Sequence, residues 1–430
     1  MQIVDIIRKK RDGGKLSRAE IDFWLAGCAQ GTVADYQSAA LLMACFIRGL
    51  NDAETLALTE GIARSGERLT WHEIEGIKVD KHSSGGVGDK ITPILIPVLA
   101  ATGLKVIKMS GRGLGHTGGT IDKMESIEGY RSDYTMAELK ELVAQSGMAL
   151  VGQSADLTPA DGVLYSLRDL TATVDSVTLV AASIVGKKLA IGADIVVFDV
   201  KYGSGSFFAD SEEAQKLAWL MVRLMRAAGK KAVAVLSSME QPLGYAVGNA
   251  LEIKEAVEVL QGNGPADVRR LVQILAGEVF FAAGTAPTRE LGRELALHLL
   301  DTGLAYQQFV KLVEGQGGDS DFSRLSKSQL VMPFTAKQSG FIAAIDAERI
   351  GRAVLALDAG RERREDYVDH ATGLVLAVKC GDSVQEGDIL AYVHCRNERQ
   401  YKAALPELAA AYTIGVEAVA IPELISAIIA

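Results

Sequence analysis

The sequence is poor in several features that mark particular classes of protein. It has four cysteines in 430 residues, widely spaced and without a CxxC pair, which argues against a disulfide scaffold and a structural zinc site. Lysine and arginine total 45 against 54 acidic residues, a net charge of −9, so we expect no nucleic-acid partner. The apolar stretch at 93–101 is far shorter than the ~20 residues that span a bilayer. The N-terminal apolar run is too short for a signal peptide, and we expect a cytoplasmic protein without a membrane partner.

The predicted elements are first helical and then alternate. Residues 1–66 show apolar positions at helical spacing and no strand pattern. From about 77 onward, strand-like runs alternate with helix-like segments, which predicts a largely parallel sheet with helices on its faces. A helical stretch at 160–191 interrupts this alternation, and we expect it to pack with the N-terminal helices. After 334, apolar residues alternate with Gly-Asp turns, which predicts a β-rich module similar to half of a lipoyl-carrier barrel.

Two glycine-rich loops each follow a strand-like segment. Residues 85–119 contain nine glycines in 35 residues, against 44 in the whole chain. Residues 78–123 carry seven Lys or Arg and three Asp, a local charge of +4 in an acidic chain. Backbone N–H groups and basic side chains gathered in this way bind anions, so we expect an anion site beyond the carboxyl ends of the strands. The GxGxxG match inside the second loop is not followed by a strand ending in an acid, which disfavours a dinucleotide site.

Two further pairs share a helix face if their segments are helical. Tyr165 and Arg168 are three residues apart, and Ser183 and Lys187 are four apart. Such pairs can present donors to a flat polar ligand. Spacing alone favours a different interpretation of the second pair, a surface lysine beside a serine in the helix interior.

Two motifs carry a resemblance to a known family: KHSSGGVGD at 81–89 and SGRGLGHTGGTIDKME at 110–125. They closely resemble the signatures of pyrimidine-nucleoside and thymidine phosphorylases, and the likeness extends over essentially the whole chain. The resemblance implies a homodimer and an α/β fold with a mostly parallel central sheet, a small all-α domain and a C-terminal α+β domain that is β-rich and lipoyl-like. The implied domains are 1–66 plus about 160–192 (all-α), 67–159 plus about 193–333 (α/β, phosphate-binding) and 334–430 (α+β).

The resemblance also implies a reaction and a set of site residues. The reaction is the reversible phosphorolysis of pyrimidine nucleosides (thymidine, uridine, deoxyuridine) to free base and α-D-(deoxy)ribose 1-phosphate. The implied catalytic residues are His82, Arg168, Ser183 and Lys187. The implied phosphate-binding residues are Lys81, Ser83, Ser84, Thr92, Lys108, Ser110 and Thr120. The implied base-binding residues are Arg168, Ser183, Lys187, Tyr165 and Leu114.

One position departs from the family pattern. Bacterial members often bind a potassium ion through positions matching Gly88, residue 90, Leu243, Ala246 and Glu255, and residue 90 is commonly threonine there. Here residue 90 is lysine. We hypothesise that the Lys90 ammonium replaces the ion and pairs with Glu255, because a buried carboxylate needs a positive partner. The resemblance implies no other cofactor.

Two alternatives stay open at this point. A phosphoribosyltransferase of the anthranilate phosphoribosyltransferase type shares the architecture but would need magnesium-bound pyrophosphate. A carrier or scaffold built on the β-rich tail would show no turnover, and the tail lacks the Met-Lys-Met or Asp-Lys-Ala tip that carries a lipoyl or biotinyl group. The choice between thymidine and uridine as the preferred substrate is not settled by residue spacing.

Overall fold

The computed structural model describes residues 1–113, 115–154, 156–363 and 365–430. The helices are α1 (Ile3–Arg11), α2 (Arg18–Gln30), α3 (Asp35–Arg48), α4 (Asp52–Arg64), α5 (Ile91–Ala100), α6 (Thr120–Glu125), α7 (Met136–Ser146), α8 (Pro159–Leu170), α9 (Val177–Ile191), α10 (Ser211–Ala227), α11 (Asn249–Leu260), α12 (Ala266–Ala283), α13 (Arg289–Asp301), α14 (Leu304–Gly315), α15 (Ala347–Leu355) and α16 (Glu398–Ala411). The strands are β1 (Lys78–Ser83), β2 (Lys105–Ser110), β3 (Met148–Gly152), β4 (Ile195–Tyr202), β5 (Lys231–Ser238), β6 (Ala246–Val247), β7 (Leu330–Thr335), β8 (Gly340–Ile345), β9 (Gly373–Leu376), β10 (Ser383–Val384), β11 (Ile389–Cys395), β12 (Tyr412–Gly415) and β13 (Ile425–Ile429).

A six-stranded sheet forms the centre of the molecule, in the order β13-β5-β4-β1-β2-β3. The strands from β5 to β3 in this order run parallel, as the alternation of strand-like and helix-like segments predicts. β4 is buried along nearly its whole length because helices cover both faces of the sheet. β13 adds to β5 in the antiparallel direction, which the sequence pattern did not predict. The predicted fold class, with a mostly parallel central sheet, is confirmed.

The N-terminal helices pack with two helices from much later in the chain. α2 begins at Ser17, whose side chain and that of Glu20 form the capping box. Trp24 and Leu41 from the N-terminal helices share a hydrophobic cluster with Leu164 of α8 and Leu179 of α9. This shared core supports the predicted grouping of 1–66 with about 160–192, whose boundaries stay a prediction.

The C-terminal part carries two small sheets, β10-β8-β12 and β6-β9-β11-β7, with α15 and α16 packed on them. The chain segments interleave here. β6 lies within the range assigned to the α/β domain but pairs with β9, and β13 lies within 334–430 but pairs with the central sheet. The C-terminal part is therefore joined to the α/β part by shared strands as well as by side-chain packing.

The parallel strands end at a common edge, where the loops at 83–90, 110–120 and 203–210 lie. α9 packs against the sheet, because Val185 and Leu189 share a hydrophobic cluster with Phe198 of β4. Within the described ranges, no helix combines the length and apolar character needed to cross a bilayer. His82 of β1 is within electrostatic reach of Lys187 on α9 and of Lys81 and Lys108 on the strands, so residues from both predicted groups lie near one another, and we call the space between them the cleft.

Candidate active site

The cleft has two sides, which we name by their elements. The sheet side comprises the charged residues at the carboxyl ends of the strands and in the loop after β1: Lys81, Asp89, Lys108, Asp199 and Lys201. The helix side comprises the polar residues of α8 and α9: Asp161, Tyr165, Arg168, Ser183 and Lys187.

Lys81 is fully buried at the centre of the sheet side. Its Nζ lies 3.3 Å from Asp199 Oδ2 and 3.9 Å from Asp89 Oδ2, and it donates to Thr92 Oγ1 at 3.3 Å. Lys201 Nζ donates to the same Asp199 oxygen at 2.7 Å. The lysines of this cluster are therefore matched by buried carboxylates before any ligand is bound.

The sequence predicted no role for the two buried aspartates that contact these lysines. Burial alone would raise the pKa of Asp89, but Lys201, Lys81 and Lys123 hold it well below its usual range. Asp199 accepts from Ser237 Oγ at 2.6 Å with its other oxygen. The signal for Asp199 and Lys201 was present, because residues two apart on a strand share a face. Asp89 ends the motif at 81–89, but its position there did not indicate a role.

The serines after β1 are tied into this network. Ser83 Oγ donates to Asp89 Oδ2 at 2.6 Å, and Ser84 Oγ accepts from the Lys201 backbone N–H at 2.7 Å. The loop around them is tight. Phe207 is 63% exposed and its ring lies beside Gly85. No sequence motif indicated Phe207.

The second loop begins after β2. Lys108 is buried and its Nζ donates to the Met109 carbonyl at 2.6 Å. Burial and the neighbouring Lys188 lower the pKa of Lys108 well below its usual value. Ser110 is also buried, and Thr120 begins α6. Lys108 thus has no carboxylate in direct contact among the described residues, and an anionic ligand would favour its charged form.

The loop between Ser110 and Thr120 is shaped by a carboxylate. The Gly113 N–H donates to Asp122 Oδ2 at 2.7 Å, and Arg361 from the C-terminal part donates to Asp122 Oδ1 at 2.6 Å. A Cβ on Gly119 would overlap the Gly113 backbone, so the two arms of the loop need glycine to approach each other. Leu114, predicted to contact a base, lies outside the described residues.

His82 lies between the two sides. Burial lowers the pKa of His82 well below 6.5, and the charges of Lys188, Lys108, Lys187 and Lys81 lower it further. Its Nε2 is buried and has no hydrogen-bond partner in the described ranges. The imidazole is therefore neutral near pH 7 and has a nitrogen available for a ligand.

On the helix side, Arg168 is buried and closes the turn between α8 and α9. Its guanidinium donates to the carbonyls of Thr173 (3.2 Å), Val174 (2.6 Å) and Leu179 (3.3 Å). Of its five N–H donors, these contacts use three. The Arg168 Cζ lies 5.9 Å and the Lys187 Nζ 5.8 Å from the centroid of the Tyr165 ring, so both cations are within cation–π distance of this ring.

Ser183 and Lys187 lie on one face of α9, as their spacing predicts. Lys187 Nζ donates to Ser183 Oγ at 3.0 Å, and both contact Asp161 of α8. The side chain of Lys187 is 21% exposed. The interpretation of this pair as surface lysine and interior serine is therefore not what the structure shows.

The neighbouring lysine faces the other way. Lys188 Nζ donates to Asp80 Oδ2 at 2.8 Å, and both side chains are buried. This ion pair joins α9 to β1, and so it fastens the helix side to the sheet side. Adjacent lysines in the sequence thus have different environments.

Comparisons with known proteins identify the family of this chain. Three family models match successive parts of the chain: the helical bundle domain of a glycosyl transferase family at 4–66, the a/b domain of that family at 75–306, and the pyrimidine nucleoside phosphorylase C-terminal domain at 341–415. A pyrimidine-nucleoside phosphorylase from Geobacillus stearothermophilus is 46% identical over 403 residues, covering 93% of each chain. One from Staphylococcus aureus is 44% identical and covers 100% of both. The chain belongs to the pyrimidine-nucleoside phosphorylase family.

A solved structure shares the fold of this phosphorylase-family chain. It is an anthranilate phosphoribosyltransferase from Thermus thermophilus, with a TM-score of 0.59 and 20% identity. The match covers 98% of that protein but 72% of this chain. At this identity the likeness shows the fold alone.

The departure from the family pattern at residue 90 has a definite geometry. Lys90 Nζ donates to the carbonyls of Leu243 and Ala246, each at 2.8 Å, and to Glu255 Oε2 at 2.6 Å. The predicted pairing of Lys90 with Glu255 is confirmed. These are the positions that the family resemblance assigns to potassium, so the ammonium lies where the ion would sit and the residues present do not fit an added ion.

Gly244 allows this arrangement. Its φ of +68° lies in the left-handed region, and a Cβ there would overlap Glu255 Oε2. The Gly244 N–H donates to Asp267 Oδ2 at 3.0 Å, and Lys379 from the C-terminal part pairs with the same Asp267 oxygen at 3.0 Å. The Lys90 ammonium thus lies next to the junction between the α/β and C-terminal parts.

Proposed function

We propose that this protein catalyses the reversible phosphorolysis of pyrimidine nucleosides to free base and α-D-(deoxy)ribose 1-phosphate. The observation that carries the proposal is the position of His82, whose buried, unpartnered Nε2 lies within the field of lysines from both sides of the cleft. A substrate with an anion at one end and a flat polar ring at the other matches this arrangement. Membership of the family and the match to its C-terminal domain support it.

Phosphate would bind on the sheet side. An anion with one to two charges and many acceptors needs several donors at once. Lys81, Lys108, Ser83, Ser110 and Thr120 surround the loops at the strand ends. Ser84 and Thr92 complete the set by holding the loop and Lys81 in place. Lys108 gains most from phosphate, because its charge is the least compensated of the sheet-side lysines.

The base would bind on the helix side, against Tyr165. Phosphate attacks C1′ of the sugar while the bond from C1′ to N1 of the base breaks, and the bonding electrons leave with the base. The negative charge spreads to O2 and O4 of the ring. N–H donors of Arg168 and Lys187 aimed at these oxygens stabilise the charge as it develops. No side-chain nucleophile is needed, because phosphate is the nucleophile.

His82 would hydrogen-bond the leaving base. Its low pKa makes it a neutral hydrogen-bond donor near pH 7 when the cleft is empty. A bound phosphate places negative charge nearby and raises that pKa, which favours proton supply to the base once substrate is present. Proton supply by His82 to the leaving base therefore depends on bound phosphate.

We also propose that the enzyme uses no potassium ion, because the Lys90 ammonium occupies the two carbonyls and the carboxylate that would bind it. The positive charge is covalently tethered and cannot exchange with solvent. No other cofactor is proposed.

A homodimer is the proposed assembly. Tyr36 and Ile47 of α3 are 76% and 69% exposed and lie eleven residues apart, about three helical turns, on one face. Leu170 at the end of α8 is 81% exposed. Exposed apolar side chains of this kind on the helical part favour a subunit contact.

A cytoplasmic location is also proposed. All four cysteines are free and buried, which supports this location.

The second candidate, a phosphoribosyltransferase, is favoured only by the shared fold. About a quarter of the chain has no counterpart in that structure, whereas the C-terminal range 341–415 matches the phosphorylase family. Magnesium-dependent turnover of phosphoribosyl pyrophosphate with anthranilate would support this candidate.

The test is release of free base from thymidine and, separately, from uridine, each with and without inorganic phosphate. Phosphate-dependent release is the expected result, and the ratio of the two rates defines the substrate preference. Release without phosphate would indicate a hydrolase, and no release from either nucleoside would contradict the proposal.

A further inference from the structure

The carboxylate of Asp161 joins two donors of the helix side. Its Oδ2 accepts from Lys187 Nζ at 2.7 Å and from Ser183 Oγ at 3.0 Å, while Lys187 Nζ also donates to Ser183 Oγ at 3.0 Å. Asp161 is 4% exposed and lies in the first turn of α8. We propose that Asp161 is a positioning residue that sets the direction of the hydrogen bonds offered to the base.

The direction follows from the chemistry of the three groups. An ionised carboxylate only accepts and an ammonium only donates. Ser183 must therefore donate its single proton to Asp161 and accept from Lys187, which leaves one lone pair on its oxygen. Toward a ligand Ser183 is an acceptor. Lys187 has a third N–H beyond the two used in these contacts, so toward a ligand it is a donor.

Arg168 supplies a second donor, since a guanidinium has no acceptor. It lies with Lys187 around the Tyr165 ring, both within 6 Å of the centroid. The helix side therefore offers a donor, an acceptor and a donor. Without Asp161, the Ser183 proton would be free to turn toward the ligand and the acceptor would be lost.

This pattern selects among pyrimidines, an inference that rests on the proposed function. Uracil and thymine present O4, N3–H and O2, which are acceptor, donor and acceptor, and they complement the helix side. Cytosine presents an amino donor at C4 and an acceptor at N3, so it meets a donor with a donor and an acceptor with an acceptor. Buried polar groups left unpaired in this way give strong discrimination. Asp161, acting through Ser183 and Lys187, thus favours 4-oxo over 4-amino pyrimidines.

The experiment compares kcat/KM for uridine and cytidine, in saturating phosphate, in the full-length enzyme. The Asp161→Leu variant removes the acceptor at similar side-chain size, and Asp161→Asn keeps an acceptor without the charge. The matched control is Asp169→Leu, which removes an exposed aspartate from the same helix. We expect Asp161→Leu to lower kcat/KM for uridine by about 100-fold and the uridine-to-cytidine ratio by at least about tenfold. Asp161→Asn should lose activity toward uridine but keep the ratio, and the control should keep both.

A merely structural role for Asp161 would lower both rates together and leave the ratio unchanged, which would overturn the proposal. If Asp161→Leu does not fold, Ser183→Ala decides the matter, because removal of the acceptor must also lower the ratio. An unchanged ratio in that variant would overturn the proposal equally. If the wild-type enzyme releases no base with phosphate, the proposed function itself fails. If it does and the variants keep the ratio, only the role of Asp161 fails.

Discussion

The two sides of the cleft hold their charged groups in different ways. On the sheet side, Lys81 and Lys201 share the buried carboxylate of Asp199, and all three side chains are fully buried. On the helix side, Ser183 and Lys187 depend on the single carboxylate of Asp161, and Tyr165 is 42% exposed. The ion pairs of Lys81 and Lys201 are therefore fully buried before substrate arrives, whereas Lys187 and Tyr165 on the helix side are partly exposed.

Because of this difference, substitutions on the two sides should affect folding stability and catalytic activity to different extents. Removing one partner of a fully buried ion pair leaves an uncompensated charge and costs about 3–5 kcal/mol of folding free energy. A partly exposed lysine is still reached by water, so its loss costs less stability. We expect variants on the sheet side to lose both stability and activity, and variants on the helix side to lose mainly activity.

The largest effect is expected for Lys81→Gln. This change removes a phosphate donor and leaves Asp199 and Asp89 with less compensating charge, so kcat/KM should fall about 10³-fold and the free energy of unfolding by about 3 kcal/mol. Initial rates and urea unfolding measure the two losses. Lys105→Gln, at the opposite end of the neighbouring strand β2, is the control. A fully stable Lys81→Gln protein would contradict the picture of a charge-balanced sheet side.

The adjacent lysines Lys187 and Lys188 sharpen the comparison within one helix. Lys187→Met should lower kcat/KM about 100-fold and cost less stability than Lys188→Met, because Lys187 is 21% exposed and Asp161 keeps its hydrogen bond from Ser183. Lys188→Met leaves the buried Asp80 without its cation, so it should cost about 3–5 kcal/mol of folding stability. The loss of kcat/KM in the folded fraction should be smaller than for Lys187→Met. Equal losses of kcat/KM in the two folded variants would mean that the base-binding lysine is wrongly assigned.

His82 lies between the two sides, and its variants should affect turnover more than phosphate affinity. His82→Ala should lower kcat about 100-fold while the KM for phosphate changes little. Steady-state kinetics with phosphate varied at saturating nucleoside measures both. An unchanged kcat would remove His82 from the reaction.

The pH dependence of stability gives a smaller effect of the same residue. The pKa of His82 lies well below 6.5 in the folded protein, so below pH 6.5 the unfolded chain binds more protons at this site. The free energy of unfolding should therefore fall as pH drops below 6.5, by up to about 1.4 kcal/mol per pH unit from this residue. His82→Asn should show a shallower slope in urea unfolding between pH 7.5 and 5.5. An identical slope would show that another group causes the dependence.

The smallest expected effect is none at all. Replacing potassium by tetramethylammonium in every buffer should leave both activity and melting temperature of the wild-type enzyme unchanged, because Lys90 supplies the charge. Lys90→Thr is the matched variant, and its melting temperature should rise when potassium is added. A potassium ion bound to Glu255 in crystals of the wild-type enzyme would contradict the tethered-charge interpretation.

Much of the fold followed from local patterns. The helical character of residues 1–66 was predicted because apolar periodicity acts over a few residues. The strand at 425–429 was not predicted, because its partner β5 is remote in the chain and a single edge strand leaves little pattern. Local signals specify elements, whereas long-range pairing needs the folded structure.

The site divides in the same way. The family motifs indicated Lys81, Arg168, Ser183 and Lys187, whose roles stay predictions. The carboxylates that hold these cations are missing from that set, because an isolated aspartate such as Asp161 has no distinctive spacing. Its partners Ser183 and Lys187 are 22 and 26 residues away along the chain. Only the packing of α8 on α9 reveals why the carboxylate is there.

The antiparallel strand β13 has a consequence for biosynthesis. The ribosome completes β5 at residue 238 and makes β13 only at 425–429, so one edge of the growing sheet stays unpaired while the residues between them are made. An open apolar strand edge is a site where nascent chains associate with one another. We expect ribosome-bound chains that stop before β13 to recruit chaperones and to aggregate when released. Chains that include β13 should bind fewer chaperones and should not aggregate.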